Sequence, residues 1–160
     1  FFILLNPSTF MLDFKQKVYQ HYVAALNEKI NALQQTLNEL SDSAKNETKS
    51  TAGDKHETAL AMLQIEQENT RTKSKEATEQ KAQLERIDIL QKTDSIIRGS
   101  LIKTDRGYFF LAVALGKSTI DTIPVIAISP QSPLGAKLLG LKEKESAEIN
   151  GILYTVEIIL

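Results

Sequence analysis

The stretch from Phe14 to Asp94 contains no proline and only one glycine, Gly53, and this lack of helix breakers constrains the fold more than any other feature. Glutamine, glutamate, lysine, alanine, asparagine and leucine dominate the same stretch, a composition that favours the α-helix. We therefore predict that about half of the chain is helical.

The first half of this stretch carries the apolar repeat of a coiled coil. Hydrophobic residues follow one another at alternating steps of three and four, the spacing of a and d positions in a heptad repeat. They form a first seam of Val23, Leu26, Ile30, Leu33, Leu37 and Leu40. After the polar segment at 41–54 the same spacing restarts as a second seam, in which half of the positions are polar: Leu60, Leu63, Gln67, Thr70, Ser74, Ala77, Lys81 and Leu84.

A polar segment, SDSAKNETKSTAGD at 41–54, separates the two seams. Because a short connection makes consecutive helices antiparallel neighbours, we predict a monomeric coiled-coil hairpin over 13–92 with its tip near 42–57. The alternative is one continuous helix that dimerises in parallel, with Gly53 tolerated at about 1 kcal/mol. We favour the hairpin, since 41–50 offers helix-capping residue types and no hydrophobic residue for the seam.

After Asp94 the apolar pattern changes to the two-residue period that is typical of strands. The predicted strands are SIIRGSLIKT, GYFFLAVAL, DTIPVIAIS and ILYTVEIIL, with turns at Arg106-Gly107, Gly116-Lys117 and Asn150-Gly151. Ser132-Pro133 indicates an N-cap followed by proline at the first helical position, and Gly140 ends that short helix. We predict that 96–160 form an antiparallel sheet with one short helix, so that the whole chain is α+β.

Composition excludes several classes of function. The formal net charge is −1, so we expect contact with nucleic acid only inside a larger complex. The chain has no cysteine, which excludes disulfides and thiolate zinc sites and agrees with a cytoplasmic location. The apolar start FFILLNPSTF lacks a basic n-region and is interrupted by proline, so we expect neither a signal peptide nor a membrane anchor. We treat residues 1–12 as an extension and expect residues 1–10 to precede the natural start at Met11; the alternative is an apolar N-terminal extension that packs against the rest of the chain.

Two stretches match the motifs of one known family. GDKHETA at 53–59 is similar to Gly-Asp-Leu-x-Glu-Asn-Ala, and ISPQSPLGAKLLGLKEKESAEINGILYTVEII at 128–159 contains Ser-Pro-[Leu/Ile]-x-x-x-Leu-[Leu/Ile]-Gly and the closing strands. Both motifs belong to the Gre-type transcript cleavage factors of bacterial RNA polymerase, which this chain resembles over about 14–160. The resemblance implies a coiled-coil hairpin followed by an FKBP-like domain.

The resemblance also implies a function. In the Gre family the hairpin enters the secondary channel of RNA polymerase, and two carboxylates at its tip help to hold a second Mg²⁺ ion. Carried over to this chain, the two carboxylates are Asp54 and Glu57. They would promote cleavage of backtracked RNA by the polymerase, with Mg²⁺ shared with its active site, and the protein alone would be no enzyme. Their i, i+3 spacing suits one helix face, and Mg²⁺ is a hard cation that takes oxygen ligands.

Other interpretations of this tip motif stay open. Asp54 can be an N-cap with Glu57 at N3, a pair that serves only to start a helix. The family's leucine and asparagine are replaced by Lys55 and Thr58, and the lysine would weaken the pull of the carboxylates on a cation. A regulator that binds in the channel without promoting cleavage is therefore the leading alternative. We expect His56 to be a solvated side chain rather than a metal ligand.

The resemblance implies a second contact with the polymerase, through the loop that contains Gln131, Ser132, Pro133 and Leu134. The alternative for this loop is an ordinary helix start. Phe109 and Phe110, with Tyr108, offer a stacking platform for nucleic acid, although their strand positions favour the core. An adaptor that works through its coiled coil and a prolyl isomerase are the remaining hypotheses from other classes, the second weakened because a fold does not carry a function.

Overall fold

The computed structural model describes residues 6–48 and 53–160, and the side chains within these ranges except those of Thr48, Gly53 and Asp54. Its elements are, in chain order, α1 (Pro7–Thr48), α2 (Gly53–Glu85), β1 (Leu101–Thr104), β2 (Gly107–Leu111), β3 (Gly116–Ile120), β4 (Ile123–Ile128), α3 (Pro133–Leu138), β5 (Ser146–Ile149) and β6 (Ile152–Ile159). The α+β class is confirmed. The described chain divides into unit 1, residues 6–23 and 83–160, and unit 2, residues 24–48 and 53–82.

Unit 2 is a helical hairpin, formed by the later part of α1 and most of α2. Leu26 of the first seam is buried, and the seam residues that follow it are half-buried: Ile30, Leu33, Leu37 and Leu40. In the second seam Thr70 and Ala77 are buried although neither is strongly hydrophobic. The Thr70 hydroxyl donates to the carbonyl of Glu66 at 2.8 Å, which satisfies it inside the helix. The predicted seams therefore coincide with the faces that the two helices bury.

Unit 1 is built on a six-stranded sheet in the order β3-β4-β2-β1-β6-β5. The prediction of an antiparallel sheet is wrong for one pair, because β2 and β4 run parallel, with Phe110 opposite Ala127. The chain leaves β2, forms β3 at the sheet edge and turns back into β4, which then lies next to β2. The chain reverses its direction twice between β2 and β4, so β4 runs antiparallel to β3 and parallel to β2.

The first part of α1 covers one face of this sheet. The ring of Phe14 meets that of Tyr108 edge to face at 5.5 Å, and the ring of Tyr22 stacks on Phe110 at 6.1 Å. Val18, one helical turn from each of these helix residues, is fully buried. The prediction that Phe110 belongs to the core is confirmed, and the start of α1 is part of the sheet unit.

The hydroxyl of Tyr22 lies 2.9 Å from the carbonyl oxygen of Gly116 and 3.0 Å from that of Val125. Its single proton is shared between these two acceptors, one on β3 and one on β4. Burial raises the pKa of Tyr22 above its ordinary value, because the phenolate form would lose its hydration. Tyr22 thus joins α1 to the β3–β4 hairpin through both its ring and its hydroxyl.

A second apolar cluster lies on the opposite face of the sheet. It consists of six buried residues: Ile96, Ile102, Leu111, Leu138, Ala147 and Val156. Leu138 belongs to α3, so this short helix covers the second face, and Leu134 packs against the same cluster. Phe109 is buried beside Tyr154, with the two ring centroids 5.9 Å apart. Both faces of the sheet are therefore covered within unit 1.

Two of the predicted turns are confirmed. Asn150 and Gly151 have φ of 51° and 78° and join β5 to β6, as a type I′ turn requires. Arg106 lies in the turn between β1 and β2, as predicted, although this turn is made by Asp105 and Arg106 and Gly107 already begins β2. The predicted turn at Gly116 is wrong, because Gly116 begins β3, and the turn after β3 is made by Asp121 and Thr122, at φ of 49° and 67°.

Candidate functional site

The first turn of α2 carries the two predicted carboxylates. The helix begins at Gly53, so Asp54 lies one residue inside it and Glu57 follows one turn later. The Glu57 side chain is exposed, whereas the side chain of Asp54 lies outside the described residues. The capping-box interpretation needs Asp54 as the last residue before the helix, whereas α2 already begins at Gly53.

The prediction that His56 is solvated is wrong. Its side chain is only 21 % exposed, and its Nδ1 atom lies 3.5 Å from an Oε1 atom of Glu47, on the other helix of unit 2. The Nδ1 atom is buried, and no described group forms a hydrogen bond with it. The contact between His56 and Glu47 therefore joins the start of α2 to the end of α1. Glu57 is the residue that follows His56 in α2. His21 belongs to unit 1, where its ring meets Tyr22 edge to face.

The second predicted site, the Ser-Pro loop at 129–134, is a closed turn in unit 1. Ser132 precedes α3 with an extended backbone, and its Oγ accepts a hydrogen bond from the backbone N–H of Gly135 at 3.0 Å. The same hydroxyl donates to the carbonyl of Ser129 at 2.7 Å. Ser129 in turn accepts from the backbone N–H of Gln131 at 3.1 Å through its Oγ. The predicted N-cap and the proline at the first helical position are both confirmed.

The four predicted partner-binding residues of this loop have different environments. Gln131 and Pro133 are exposed. Ser132 uses its hydroxyl within the loop, and Leu134 packs on the cluster around Leu138. Of the four residues, only Gln131 and Pro133 are thus exposed, while the other two residues give the loop its shape.

Sequence reasoning missed Gly135, which the loop needs for its close approach to Ser129. A Cβ atom built on Gly135 would lie 2.0 Å from the carbonyl oxygen of Ser129 and 2.9 Å from the Oγ of Ser132. No side chain can be accommodated at this distance from a backbone atom. The only sequence signal for this role was the position of a glycine three residues after an N-cap serine.

Within 6–48 and 53–160 there is no group of three or more His, Cys, Asp or Glu side chains that could hold a metal ion. None of the helices in the described part of the chain combines the length and apolarity needed to cross a bilayer. Comparisons with protein-family models, with curated proteins and with solved structures find no match.

Proposed function

We propose that this protein is an accessory factor of bacterial RNA polymerase whose helical hairpin enters the secondary channel and promotes cleavage of backtracked RNA. The observation that carries the proposal is the placement of the two motifs. An exposed carboxylate, Glu57, lies one turn after Asp54 at the start of the second helix of a hairpin, and a Ser-Pro helix start lies in a separate sheet unit. Both arrangements are those that the resemblance to the Gre family implies.

The dimensions of unit 2 suit a channel. Residues 24–48 of α1 form 25 helical residues, about 37 Å of helix at 1.5 Å per residue. Hydrophobic seam residues are turned inward along this length, while residues such as Gln34 and Gln35 are exposed. We propose that the two helices form an antiparallel coiled coil. Such a hairpin is narrow and stiff and has a polar outer surface.

The chemistry of the tip fits a shared magnesium ion. Carboxylate oxygens are ligands that Mg²⁺ prefers, and one or two of them suffice when other groups complete its shell. When bound, this ion would polarise a phosphoryl oxygen and activate water. Asp54 and Glu57 would supply anionic oxygens, and the contact between His56 and Glu47 would fix the turn that carries them.

Lys55 supports the alternative, a channel-binding regulator without cleavage activity. Its side chain is exposed and lies between the two carboxylates in sequence. A positive charge there lowers the local attraction for a cation, although solvent and salt screen the effect. The two functions share the same binding mode, so cleavage and binding must be measured separately.

We further propose that unit 1 is the FKBP-like domain of such a factor and contacts the rim of the channel through the Ser-Pro loop. Gln131 and Pro133 are the exposed residues of this loop. The network between Ser129, Ser132 and Gly135 holds them in one conformation. A rigid loop loses little conformational entropy on binding, which favours its use as a docking surface.

Single-cysteine cross-linking tests the binding mode, since the chain contains no cysteine of its own. Ala61→Cys and Ala82→Cys place a thiol at exposed positions near the two ends of α2. With a photo-reactive label and a stalled elongation complex, we expect Ala61→Cys to cross-link to polymerase residues beside the active site or to the RNA 3′ end. We expect Ala82→Cys to cross-link elsewhere. The adduct positions are read by mass spectrometry.

Two outcomes would contradict this binding mode. Equal cross-linking of the two variants, or adducts of Ala61→Cys only on the outer surface of the polymerase, would exclude insertion of the hairpin. If the protein forms no complex with the polymerase, the adaptor hypothesis becomes the leading interpretation. The unlabelled wild type, added in excess, should compete away every specific adduct.

A further inference from the structure

Unit 1 contains a cavity of about 680 Å³ whose lining includes no residue of either candidate site. It is bounded by the start of α1, by the segment 89–94 that follows α2, and by the end of β6 with the nearby turn at 142–143. Cavities of this volume are typical of small-molecule sites in proteins. The proposed channel factor uses none of the residues around it.

The walls of the cavity are mainly aliphatic. The described lining residues include seven with long aliphatic side chains: Met11, Leu12, Ile89, Leu90, Ile158, Ile159 and Leu160. Leu90 is 59 % exposed, which is high for a leucine in a folded unit. The described lining residues include no aromatic ring, so the walls suit a flexible alkyl chain better than a flat ring system.

A buried lysine faces this cavity. Lys15 is only 3 % exposed, lines the cavity, and has neither a hydrogen bond nor an ion pair with any described residue. Burial lowers the pKa of Lys15, and the charge of Asp88 partly opposes this shift. Among the described side chains only the Nδ1 atom of His56 is buried without a hydrogen-bond partner, so the ammonium group of Lys15 remains accessible to water while its methylene chain is buried.

None of the other described charged residues around the cavity forms an ion pair with Lys15. Lys92 and Lys142 also line it, together with Asp94 and Glu143. An Oε1 atom of Glu143 accepts a hydrogen bond from the backbone N–H of Ile159 at 3.1 Å, so this carboxylate is already engaged at the wall. Lys92 and Asp94 are both exposed and hence solvated. Lys15 remains the one buried charge among the described lining residues.

We propose that this cavity binds a carboxylic acid with an unbranched alkyl tail, with the carboxylate at the ammonium group of Lys15 and the tail against the aliphatic walls. The carboxylate would replace water at this ammonium group and form a charge-assisted hydrogen bond with it. The tail would displace water from Leu90 and its neighbours, which is favourable in proportion to the area that it covers. A ligand with a carboxylate and an alkyl tail would pair with Lys15 and cover the exposed aliphatic walls at the same time.

Binding of decanoate and of 1-decanol to the full chain tests this proposal, with isothermal titration calorimetry as the measurement. The two probes share the tail and differ in the carboxylate. We expect the wild type to bind decanoate at least about tenfold more tightly than 1-decanol, the usual worth of a hydrogen bond to a charged group. Lys15→Met, which keeps the volume and removes the charge, should lose this preference and leave 1-decanol binding unchanged. The matched control Lys92→Met, at an exposed lysine of the same cavity, should keep it.

The proposal is overturned if the wild type does not bind decanoate, if it binds both probes equally, or if Lys15→Met binds decanoate as the wild type does. We expect Lys15→Met to be folded and about as stable as the wild type, because methionine fills the space of the buried methylene chain. If this variant does not fold, the comparison of the two probes on the wild type still decides. None of these outcomes depends on the proposed role at the polymerase.

Discussion

Gly135→Ala is expected to destabilise unit 1 by on the order of 3 kcal/mol or more, one of the largest effects of any single methyl group in this chain. The added Cβ would lie 2.0 Å from the carbonyl oxygen of Ser129, and this backbone atom cannot move without breaking the loop. The Ser132 hydroxyl, which bonds both Ser129 and Gly135, would lose at least one of its partners. Leu138, three residues later, is fully buried, so the shift would reach the core.

Urea unfolding followed by tyrosine fluorescence measures this effect in unit 1 alone. The four tyrosines of the chain, Tyr19, Tyr22, Tyr108 and Tyr154, all belong to that unit, and the chain has no tryptophan. Gly140→Ala is the matched control, because a Cβ at Gly140 meets no atom within 4 Å and only the backbone at φ +86° is strained. We expect about 1–2 kcal/mol for the control. Equal losses in the two variants would show that the contact with Ser129 is not what requires glycine.

Tyr22→Ala is expected to destabilise the same unit by about 3–5 kcal/mol, as large-to-small changes of buried aromatic residues do. The change removes the ring that stacks on Phe110 and the hydroxyl that holds the carbonyls of Gly116 and Val125. Tyr22→Phe keeps the ring, and we expect it to cost about 1 kcal/mol. The exposed neighbour Gln20→Ala should leave the free energy of unfolding unchanged to within about 0.5 kcal/mol.

The outcome distinguishes two roles for the start of α1. If the helix only led into the hairpin, Tyr22→Ala would lower the stability no more than Gln20→Ala does. If the helix is part of the sheet unit, as its contacts with Phe110 indicate, the loss should appear in the tyrosine fluorescence transition. The three remaining tyrosines, among them Tyr108 on the same sheet face, still report the transition in this variant.

The sequence predicted the parts of the fold that depend on local rules. The two helical seams follow from a heptad spacing, and the second one was correct even where it is occupied by Thr70 and Ala77, because register continues along a helix whatever the residue type. The Asn150-Gly151 turn and the Ser132 N-cap depend on only two to four residues each. Such features need no knowledge of distant contacts.

The errors concern contacts between distant parts of the chain. The β3 strand, GKSTI, has no apolar alternation, and it pairs with β4 because Asp121 and Thr122 adopt positive φ between them. The parallel pairing of β2 and β4 depends on where the β3–β4 hairpin packs, which no local pattern encodes. Tyr22 was not among the residues of the first seam, yet it is buried against the sheet.

The candidate site shows the same limit. Asp54, Glu57 and the Ser-Pro loop were found from motifs, which are local in sequence. The contact of His56 with Glu47 was missed because it joins the ends of two helices, and a histidine in a polar segment gives no sign of such a partner. Lys15 was missed because a lysine on a helix is expected in solvent, and only the fold shows that this one is buried.

Cleavage of RNA in a stalled, backtracked elongation complex tests the central claim most directly. We expect the wild type to accelerate cleavage in the presence of Mg²⁺, and Asp54→Asn and Glu57→Gln each to lower the stimulated rate by at least about tenfold while the protein still binds. Glu66→Gln, which neutralises an exposed carboxylate farther along α2, should leave the rate unchanged. A wild type that binds the polymerase and does not accelerate cleavage would contradict the claim that these carboxylates serve the active site, and would identify the protein as a channel-binding regulator.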